Sequence, residues 1–215
     1  MDPALFVLRN TAVERPPLVP EIRLHLAVEV TPLWRATEES LARDGLPPPF
    51  WAFAWTGGQA LARYLLDNPG IVAGRDVLDF GSGSGLVAIA AARAGAARAA
   101  AAEIDPFAAA AIAANAALNG VGIAVLTGDI LHCETGSWAV VTAGDICYEQ
   151  PMAERAVAWL RRRAARGALV LLGDPGRTYL PRAGLRERAR YVVPTSREIE
   201  DCDRRDGVVW EVLPG

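Results

Sequence analysis

The sequence has few of the residues that build metal centres and disulfide frameworks. Its 215 residues include three cysteines and two histidines, which are Cys133, Cys147, Cys202, His25 and His132. The number of cysteines is odd, no C-x-x-C pair occurs, and the cysteines and histidines match no metal-ligand spacing. We therefore expect no bound metal and no structural disulfide.

Long apolar runs and a surplus of positive charge are also absent. The stretch over residues 88–117 is the most apolar, but charged side chains interrupt it at Arg93, Arg98, Glu103 and Asp105. It therefore falls short of the roughly 18 apolar residues of a membrane span. No basic segment followed by an apolar one indicates a signal peptide. The formal net charge is −3, whereas general nucleic-acid binders carry a basic surface. We expect a cytoplasmic monomer that binds neither membrane nor nucleic acid.

The most informative segment that is present is VLDFGSGSGL, residues 77–86. It predicts a buried strand, a turn with Gly81, Gly83 and Gly85, and the start of a helix, whose free N–H groups can face a ligand. A dinucleotide fingerprint, G-x-G-x-x-G, would place its third glycine at Leu86. The observed G-x-G-x-G, preceded by Asp79, resembles the first motif of class I methyltransferases, which bind S-adenosylmethionine. A nucleotide site and a purely structural turn are the alternatives.

A second acidic residue supports the same cofactor. Glu103 ends a predicted strand roughly 20 residues after the glycine turn, where a carboxylate can accept hydrogen bonds from ribose hydroxyls. The other interpretation is an acid at a helix start, since Pro106 suits a first helical turn. Asp105 satisfies that role better, so we assign Glu103 to the ribose and Asp105 to the helix cap.

From residue 75 onward, predicted strands and helices alternate. The strands cover 77–80, 99–103, 123–126, 138–143 and 168–172, and the helices cover 86–94, 107–118 and 152–165. Two closing strands, near 190–193 and at 208–213, have no helix between them. This order predicts an α/β fold with a mainly parallel, Rossmann-like sheet and an antiparallel last strand, which matches the seven-stranded class I methyltransferase architecture. The polar motifs all fall at carboxyl ends of strands, where such sheets bind ligands.

The N-terminal part predicts an extension of this fold. Residues 1–20 are rich in proline and show no clear period. Alternation over residues 21–29 predicts a half-buried strand that pairs outside the main sheet. Thr31 and Pro32 indicate the start of a short helix over 33–43, and a further helix is expected at 60–67. We expect residues 1–55 to form the extension and residues 56–215 the methyltransferase domain.

Four aromatic residues lie within six positions of one another: Phe50, Trp51, Phe53 and Trp55. They can close one end of the core, or their faces can attract a cation such as a sulfonium or a lysine ammonium. Both interpretations stay open for Trp51 and Phe53. Trp55 precedes a glycine pair, which favours contact with the ligand.

Four segments together resemble the electron transfer flavoprotein β-subunit lysine methyltransferase family, in a bacterial form. They are VPEIRLHL at 19–26, FWAFAWTGGQALARYLLDNP at 50–69, GDICYE at 144–149 and GDPGR at 173–177. The similarity covers nearly the whole chain from residue 19. Asp145 and Tyr148 match the D-x-x-Y motif that marks a larger group of protein lysine methyltransferases. Thr56 and Ala139 depart from the family pattern, and neither touches this pair. A ribosomal-protein methyltransferase family is more distantly similar, mainly in the cofactor half.

The resemblance implies methyl transfer from S-adenosylmethionine, with S-adenosylhomocysteine as product, to lysines beside the recognition loop of the flavoprotein β subunit. With the resemblance, we expect Asp145 to orient the lysine amine, and Tyr148 to line the lysine channel or to orient Asp145. Without the resemblance, an acid at a helix start and a tyrosine in the core would be the simpler interpretation of this pair. Trp51 and Arg177 are expected to contact the protein substrate, although Arg177 can equally brace its loop.

The expected cofactor site has several parts. Gly81, Gly83 and Gly85 pass the methionine moiety and Glu103 binds the ribose. Asp129, with the amide of Ile130, recognises the adenine, although Asp129 can instead be a turn residue. The set is completed by Trp55, Asp79 and Ala143.

Three rival functions remain. A ribosomal-protein or small-molecule N-methyltransferase would share the fold, and the D-x-x-Y and GDPGR segments count against it. A nucleotide-dependent oxidoreductase would need a different fingerprint. A non-catalytic binding module is disfavoured because Glu103 and Asp145 are present.

Overall fold

The computed structural model describes residues 1–29, 31, 33, 43, 46–132 and 136–215, and within the last range the side chains of residues 198 and 199 are not described. Most of the helix expected at 33–43, and Cys133, lie outside these residues. The strands are β1 Ala12–Glu14, β2 Leu24–Leu26, β3 Asp76–Phe80, β4 Arg98–Glu103, β5 Ala124–Thr127, β6 Val140–Gly144, β7 Leu169–Asp174, β8 Leu185–Pro194 and β9 Arg204–Val212. The described α-helices are α1 Pro3–Asn10, α2 Thr56–Asp67, α3 Leu86–Arg93, α4 Pro106–Leu118, α5 Gln150–Ala165 and α6 Arg197–Glu200. Short 3-10 helices cover Phe50–Ala52, Pro69–Ile71 and Ile130–His132.

The main sheet has seven strands in the order β5-β4-β3-β6-β7-β9-β8. All neighbouring pairs from β5 to β7 are parallel, and β9 runs antiparallel to both β7 and β8. This confirms the predicted sheet and its antiparallel last strand. The carboxyl ends of β3, β4, β5 and β6 therefore lie along one edge, which places the polar motifs together.

The two faces of the sheet bury alternate residues of each strand, as the period of a strand requires. Val77 packs with Leu61 and Leu65 of α2 and with residues of α3. Its neighbour Leu78 packs in a separate cluster that includes Leu160 of α5. Helices thus cover both faces, which explains why the central strands β3 and β6 are buried along nearly their whole length.

The N-terminal residues form more structure than their sequence indicates. Residues 1–20, which show no clear period in the sequence, contain α1 and β1. Asp2 caps α1 by accepting a hydrogen bond from the Ala4 N–H at 3.0 Å. The Phe6 ring of α1 lies 4.8 Å from the ring of Phe107 in α4. The signal was a capping acid followed by proline, which is as informative here as at Asp105.

The strand expected at residues 21–29 is shorter than predicted, and it pairs outside the main sheet as expected. β2 pairs antiparallel with β1. The fully buried side chain of Asn115 holds it in place: its Oδ1 accepts a hydrogen bond from the His25 N–H at 2.7 Å, and its Nδ2 donates to the Ser84 carbonyl oxygen at 2.8 Å. One side chain therefore joins the β2 strand to the glycine turn after β3.

Helix α2 begins at Thr56, four residues before the predicted start at residue 60. The glycine pair that follows Trp55 lies in the first helical turn. Gly57 packs directly against the backbone of Gly173 at the end of β7. A Cβ on either residue would overlap the other's carbonyl oxygen, so both positions require glycine for this close approach.

The C-terminal part also differs from the prediction in two places. β8 spans ten residues, whereas the sequence predicted a strand only near 190–193. The prediction was too short because most side chains of β8 are exposed or half-buried and therefore give no apolar period. The two closing strands were expected to have no helix between them, but the short helix α6 separates them, and β9 begins at Arg204 instead of residue 208.

The buried carboxylate of Asp79 holds the turn between β3 and α3. Asp79 accepts hydrogen bonds from the Ser82 hydroxyl and, at 2.8 Å, from the Thr142 hydroxyl. Burial raises the pKa of Asp79 to about 6, and the two hydroxyls oppose this effect. The turn is therefore shaped by a group whose charged form is costly to bury.

Replacing Gly57 by alanine should destabilise the fold, whereas replacing Gly58 should not. An added Cβ at position 57 would lie 2.7 Å from Asp145 Oδ2 and overlap the Gly173 carbonyl, while one at position 58 would have Asp145 Oδ2 at 4.0 Å as its nearest neighbour. We expect Gly57→Ala to lower the free energy of unfolding by about 1–3 kcal/mol, and Gly58→Ala to leave it unchanged or raise it by up to about 1 kcal/mol. Urea unfolding measures both, and equal effects would contradict the predicted contact.

The Asp79→Asn variant should gain stability relative to the wild type as the pH rises. The pKa of Asp79 in the folded protein, about 6, exceeds its ordinary value of 3.8, so the folded wild type loses stability as the pH rises between these values. Asparagine carries no charge and can keep both hydroxyl contacts. The free energy of unfolding of the variant minus that of the wild type should rise by on the order of 2–3 kcal/mol between about pH 4 and about pH 7. Urea unfolding across this range tests it, and a pH-independent difference would refute it.

Candidate active site

A cleft of about 420 Å³ opens at the carboxyl edge of the sheet. Its lining includes most of the residues that the sequence predicted for the site: Trp55, Gly81, Gly83, Glu103, Asp129, Ile130, Asp145, Tyr148 and Arg177. A smaller cavity of about 50 Å³ adjoins it and shares Trp55, Gly81, Gly83 and Asp145 with it. Asp79 lines this smaller cavity.

Three predicted residues line neither of these two cavities. Trp51 is 3% exposed and packs in an apolar cluster with residues of α1 and α4. Ala143 is fully buried in the cluster beneath α5. Gly85 caps α3 with a φ of 84°, and a Cβ there would lie 3.3 Å from Ile112. Their positions are accounted for by packing and backbone geometry.

Glu103 sits at the end of β4, beside the glycine turn. Its Oε2 accepts a hydrogen bond from the Gly83 N–H at 3.0 Å, and its Oε1 accepts from the Ile104 N–H at 2.8 Å. Asp105, two residues later, caps α4 by accepting from the Phe107 N–H at 2.8 Å, as predicted. The Glu103 Oε1 also accepts from the Asp105 N–H at 3.4 Å. A carboxylate has about four acceptor positions, so Glu103 can accept one further hydrogen bond from a ligand in the cleft.

Asp129 follows β5 and accepts two hydrogen bonds. Its Oδ1 accepts from the Leu131 N–H at 2.9 Å, and its Oδ2 accepts from Arg155 Nη2 at 2.7 Å. The backbone hydrogen bond and Arg155 lower the pKa of Asp129, so it stays ionised. Asp129 therefore stabilises the turn after β5 through the Leu131 N–H, and it also lines the cleft. Sequence reasoning missed Arg155, which also lines the cleft and lies in the predicted helix without any motif around it.

Asp145 forms part of the cleft wall where β6 ends, and its backbone has a φ of 55°, in the left-handed region. Its Oδ2 accepts from the Gly58 N–H at 2.8 Å, in the first turn of α2. Its Oδ1 accepts from Arg177 Nε at 3.0 Å and Nη2 at 2.6 Å. Burial raises the pKa of Asp145 to about 6, while Arg177 acts to lower it. The carboxylate is thus held from two sides.

Arg177 belongs to a chain of charged groups that the sequence did not indicate. Its Nη2 also donates to Glu200 Oε1 at 3.1 Å, and Glu200 Oε2 accepts from Arg205 Nη1 at 2.8 Å. The Glu200 side chain is 2% exposed. Glu200 Oε1 further accepts from the Thr56 N–H at 3.4 Å, so two carboxylates face the start of α2. Glu200 stands in a polar segment without a motif, and no local pattern marks it.

Aromatic side chains form the outer wall of the cleft. Tyr148 is 48% exposed, and its ring lies 5.3 Å from the ring of Phe50. Trp55 donates from Nε1 to the Phe50 carbonyl oxygen at 2.8 Å and lies 5.4 Å from the Arg177 guanidinium. Burial raises the pKa of the Tyr148 phenol, so the ring is neutral at physiological pH. An apolar, aromatic entrance therefore leads to buried carboxylates.

This arrangement suits transfer chemistry on an organic cation or amine. Within the described parts of the chain, no group of three or more His, Cys, Asp and Glu side chains could hold a metal ion. In those same parts, no helix combines the length and the apolar character that crossing a bilayer requires. The cleft offers carboxylates, backbone N–H groups and aromatic faces.

Comparison with known proteins identifies the relatives of this chain. Residues 59–144 match the family model described as ribosomal protein L11 methyltransferase (PrmA). The solved structure of magnesium protoporphyrin IX methyltransferase from Synechocystis PCC 6803 with bound SAM matches with a TM-score of 0.54 and 17% identity, covering 73% of this chain and 77% of that one. At that identity the likeness concerns the fold alone, and it confirms the class I methyltransferase architecture expected from the sequence.

Two full-length relatives are far more similar. The electron transfer flavoprotein beta subunit lysine methyltransferase of Xenopus laevis is 38% identical over 218 residues, which cover 99% of this chain and 87% of the relative. The protein of the same name from Homo sapiens is 38% identical over 223 residues, covering 100% of this chain and 84% of the relative. The chain therefore belongs to the electron transfer flavoprotein beta subunit lysine methyltransferase family.

Proposed function

We propose that this chain transfers methyl groups from S-adenosylmethionine to lysine side chains beside the recognition loop of the electron transfer flavoprotein β subunit. The observation that carries the proposal is the buried Asp145 carboxylate of the D-x-x-Y segment, which lines a cleft with Glu103 in a member of this family. The cytoplasmic location and the monomeric state expected from the sequence remain predictions.

The residues of the cleft fit the cofactor. Gly81 and Gly83 have φ values of 61° and 53°, which favour glycine, and both line the cleft, so a ligand can approach their backbone closely. We propose that their backbone passes the methionine moiety, that Glu103 accepts from the ribose hydroxyls, and that Asp129 with the Ile130 amide recognises the adenine. For Trp51, Gly85 and Ala143 we propose a structural role instead of the ligand contacts expected from the sequence.

The chemistry centres on a neutral amine. When bound, S-adenosylmethionine supplies a sulfonium methyl, to which the amine lone pair forms the N–C bond while the S–C electron pair remains on sulfur. A free lysine has a pKa of about 10.4, so deprotonation at pH 7 costs about 4.6 kcal/mol. Positioning of that amine is therefore the main task left to the protein.

Asp145 is suited to this task. Three N–H groups already occupy its oxygens, from Gly58 and twice from Arg177, and about four acceptor positions exist on a carboxylate. One position remains for the amine. Tyr148 and Phe50 supply an apolar wall that limits water around the lysine side chain, while the proton released from nitrogen passes to solvent.

A second candidate function is methylation of a ribosomal protein or a small molecule. The match to the L11 methyltransferase model favours it over residues 59–144. That match ends just before Asp145, so it covers the cofactor half and leaves out the D-x-x-Y pair. The flavoprotein subunit is therefore the first substrate to test.

The Asp145→Asn variant should bind cofactor but lose turnover by about 100-fold or more, because the amine loses a charged acceptor. Asparagine tolerates the left-handed backbone at this position, so the fold should persist. The wild type with S-adenosylmethionine and the electron transfer flavoprotein of the same organism should add roughly 14 Da per methyl to the β subunit in intact-mass spectrometry.

Asp201→Asn is the matched control, since Asp201 also has a left-handed backbone, with a φ of 57°, and is exposed outside the cleft. It should retain wild-type turnover. Full turnover by the Asp145 variant would refute the assigned role. No mass gain with the wild type would move the substrate question to a labelled-methyl survey of whole lysate.

The Glu103→Gln variant should bind S-adenosylhomocysteine more weakly by about 10- to 100-fold, as expected for the loss of hydrogen bonds to a charged group. Isothermal titration calorimetry measures this. Glu187→Gln on the exposed face of β8 removes the same charge far from the cleft lining and should leave the dissociation constant unchanged. Equal affinities of the two variants for S-adenosylhomocysteine would refute the assignment of Glu103 to the ribose.

A further inference from the structure

The cleft poses an electrostatic problem for lysine methylation. A carboxylate that orients the amine also stabilises its protonated form and so raises the lysine pKa, which reduces the reactive fraction. Asp145 alone would have this effect. The structure holds a second charge, Arg177, whose two nitrogens donate to the same Asp145 oxygen.

We propose that Arg177 is a positioning residue that neutralises Asp145, so that Asp145 orients the substrate amine without stabilising its ammonium form, and that Glu200 holds Arg177 in place. This inference rests on the proposed function. It assigns Arg177 a role distinct from contact with the protein substrate and gives a role to Glu200, which no sequence motif indicated.

Burial makes this balance effective. The side chains of Asp145, Arg177 and Glu200 are 8%, 16% and 2% exposed, so solvent screens their charges weakly. Two carboxylates, Asp145 and Glu200, alternate with two guanidinium groups, Arg177 and Arg205, along one chain of contacts. The formal charge of these four groups is therefore zero, so the two guanidinium groups offset the two carboxylates.

The other groups near Asp145 do not supply the missing positive charge. Burial raises the pKa of Asp174, which lies close enough to Asp145 to raise its pKa as well. The Cys147 thiol is buried, and its pKa is raised to about 12, so it is neutral. The Gly58 N–H contributes a partial charge at the start of α2. Among the described residues, Arg177 thus supplies the formal positive charge that directly contacts Asp145.

Arg177 is also fixed in a way that a substrate-binding arginine need not be. Its own backbone N–H donates to Asp174 Oδ1 at 2.7 Å, and its guanidinium faces the Trp55 ring at 5.4 Å. Nη2 donates to both carboxylates, to Asp145 Oδ1 at 2.6 Å and to Glu200 Oε1 at 3.1 Å. These contacts hold Arg177 in one orientation against Asp145, which itself lines the cleft.

The test is the pH dependence of turnover at saturating substrate, where the rising limb reports deprotonation of the bound lysine. Arg177→Gln should move this limb to higher pH by about one unit, because the site becomes a net anion. Glu200→Gln should move it to lower pH, because a negative charge is lost. Opposite shifts from two neighbours in one network distinguish a charge effect from a loss of structure.

Two further variants serve as controls. Arg177→Lys keeps the charge but not the planar pair of donors, so its rising limb should match the wild type while its turnover falls. Arg98→Gln removes an arginine that pairs with Asp76 at the opposite end of the sheet and should leave the profile unchanged. Calorimetry with S-adenosylhomocysteine confirms that each variant is folded.

Each result decides the proposal. If the rising limb of the pH profile stays at the wild-type pH in both Arg177→Gln and Glu200→Gln while turnover falls, Arg177 only braces its loop. If Arg177→Gln fails to fold, Glu200→Gln decides alone: a shift to lower pH supports the proposal, and no shift or a shift to higher pH overturns it. A wild type that methylates no flavoprotein subunit at any pH would instead refute the proposed function, which separates the two failures.

Discussion

The cleft depends on how closely the start of α2 approaches the ends of β6 and β7. The backbones of Gly57 and Gly173 touch there, with no room for a side chain on either residue. This contact brings the Gly58 N–H within hydrogen-bonding distance of Asp145 and the Thr56 N–H near Glu200. The first N–H groups of α2, which have no partner within the helix, and the positive end of the helix dipole thus face two carboxylates. This partly offsets the cost of burying the two carboxylates.

Asp145 combines a backbone requirement with a chemical one. Its left-handed conformation disfavours most side chains, and aspartate and asparagine tolerate it best. Its burial disfavours the charged form that the proposed chemistry needs, and Arg177 restores that form. Removing one partner of a buried ion pair commonly costs about 3–5 kcal/mol. The same contacts therefore serve stability and the proposed reaction, so their effects must be separated by pH dependence as well as by activity.

The sequence predicted the parts of the structure that local patterns determine. The glycine turn, the alternating strands and helices, and the cap at Asp105 depend on neighbours in the chain, and all were found as expected. Features that depend on distant residues were missed. Glu200 contacts Thr56, 144 positions away, and nothing around it signals that contact. Trp51, for which the sequence left both core packing and ligand contact open, packs in a cluster with residues of α1, a helix that the sequence did not predict.

The N-terminal segment contributes to the cofactor half although it lies outside the main sheet. Asn115 holds the Ser84 carbonyl of the glycine turn with one end of its amide and the His25 N–H of β2 with the other. Asn119, one helical turn later, accepts from the Arg23 N–H at 3.0 Å. Loss of β2 would leave the buried Asn115 amide oxygen without this donor, at a cost of about 1–3 kcal/mol. The glycine turn and the N-terminal strand are therefore energetically coupled, and a boundary after residue 55 would separate segments that stabilise each other.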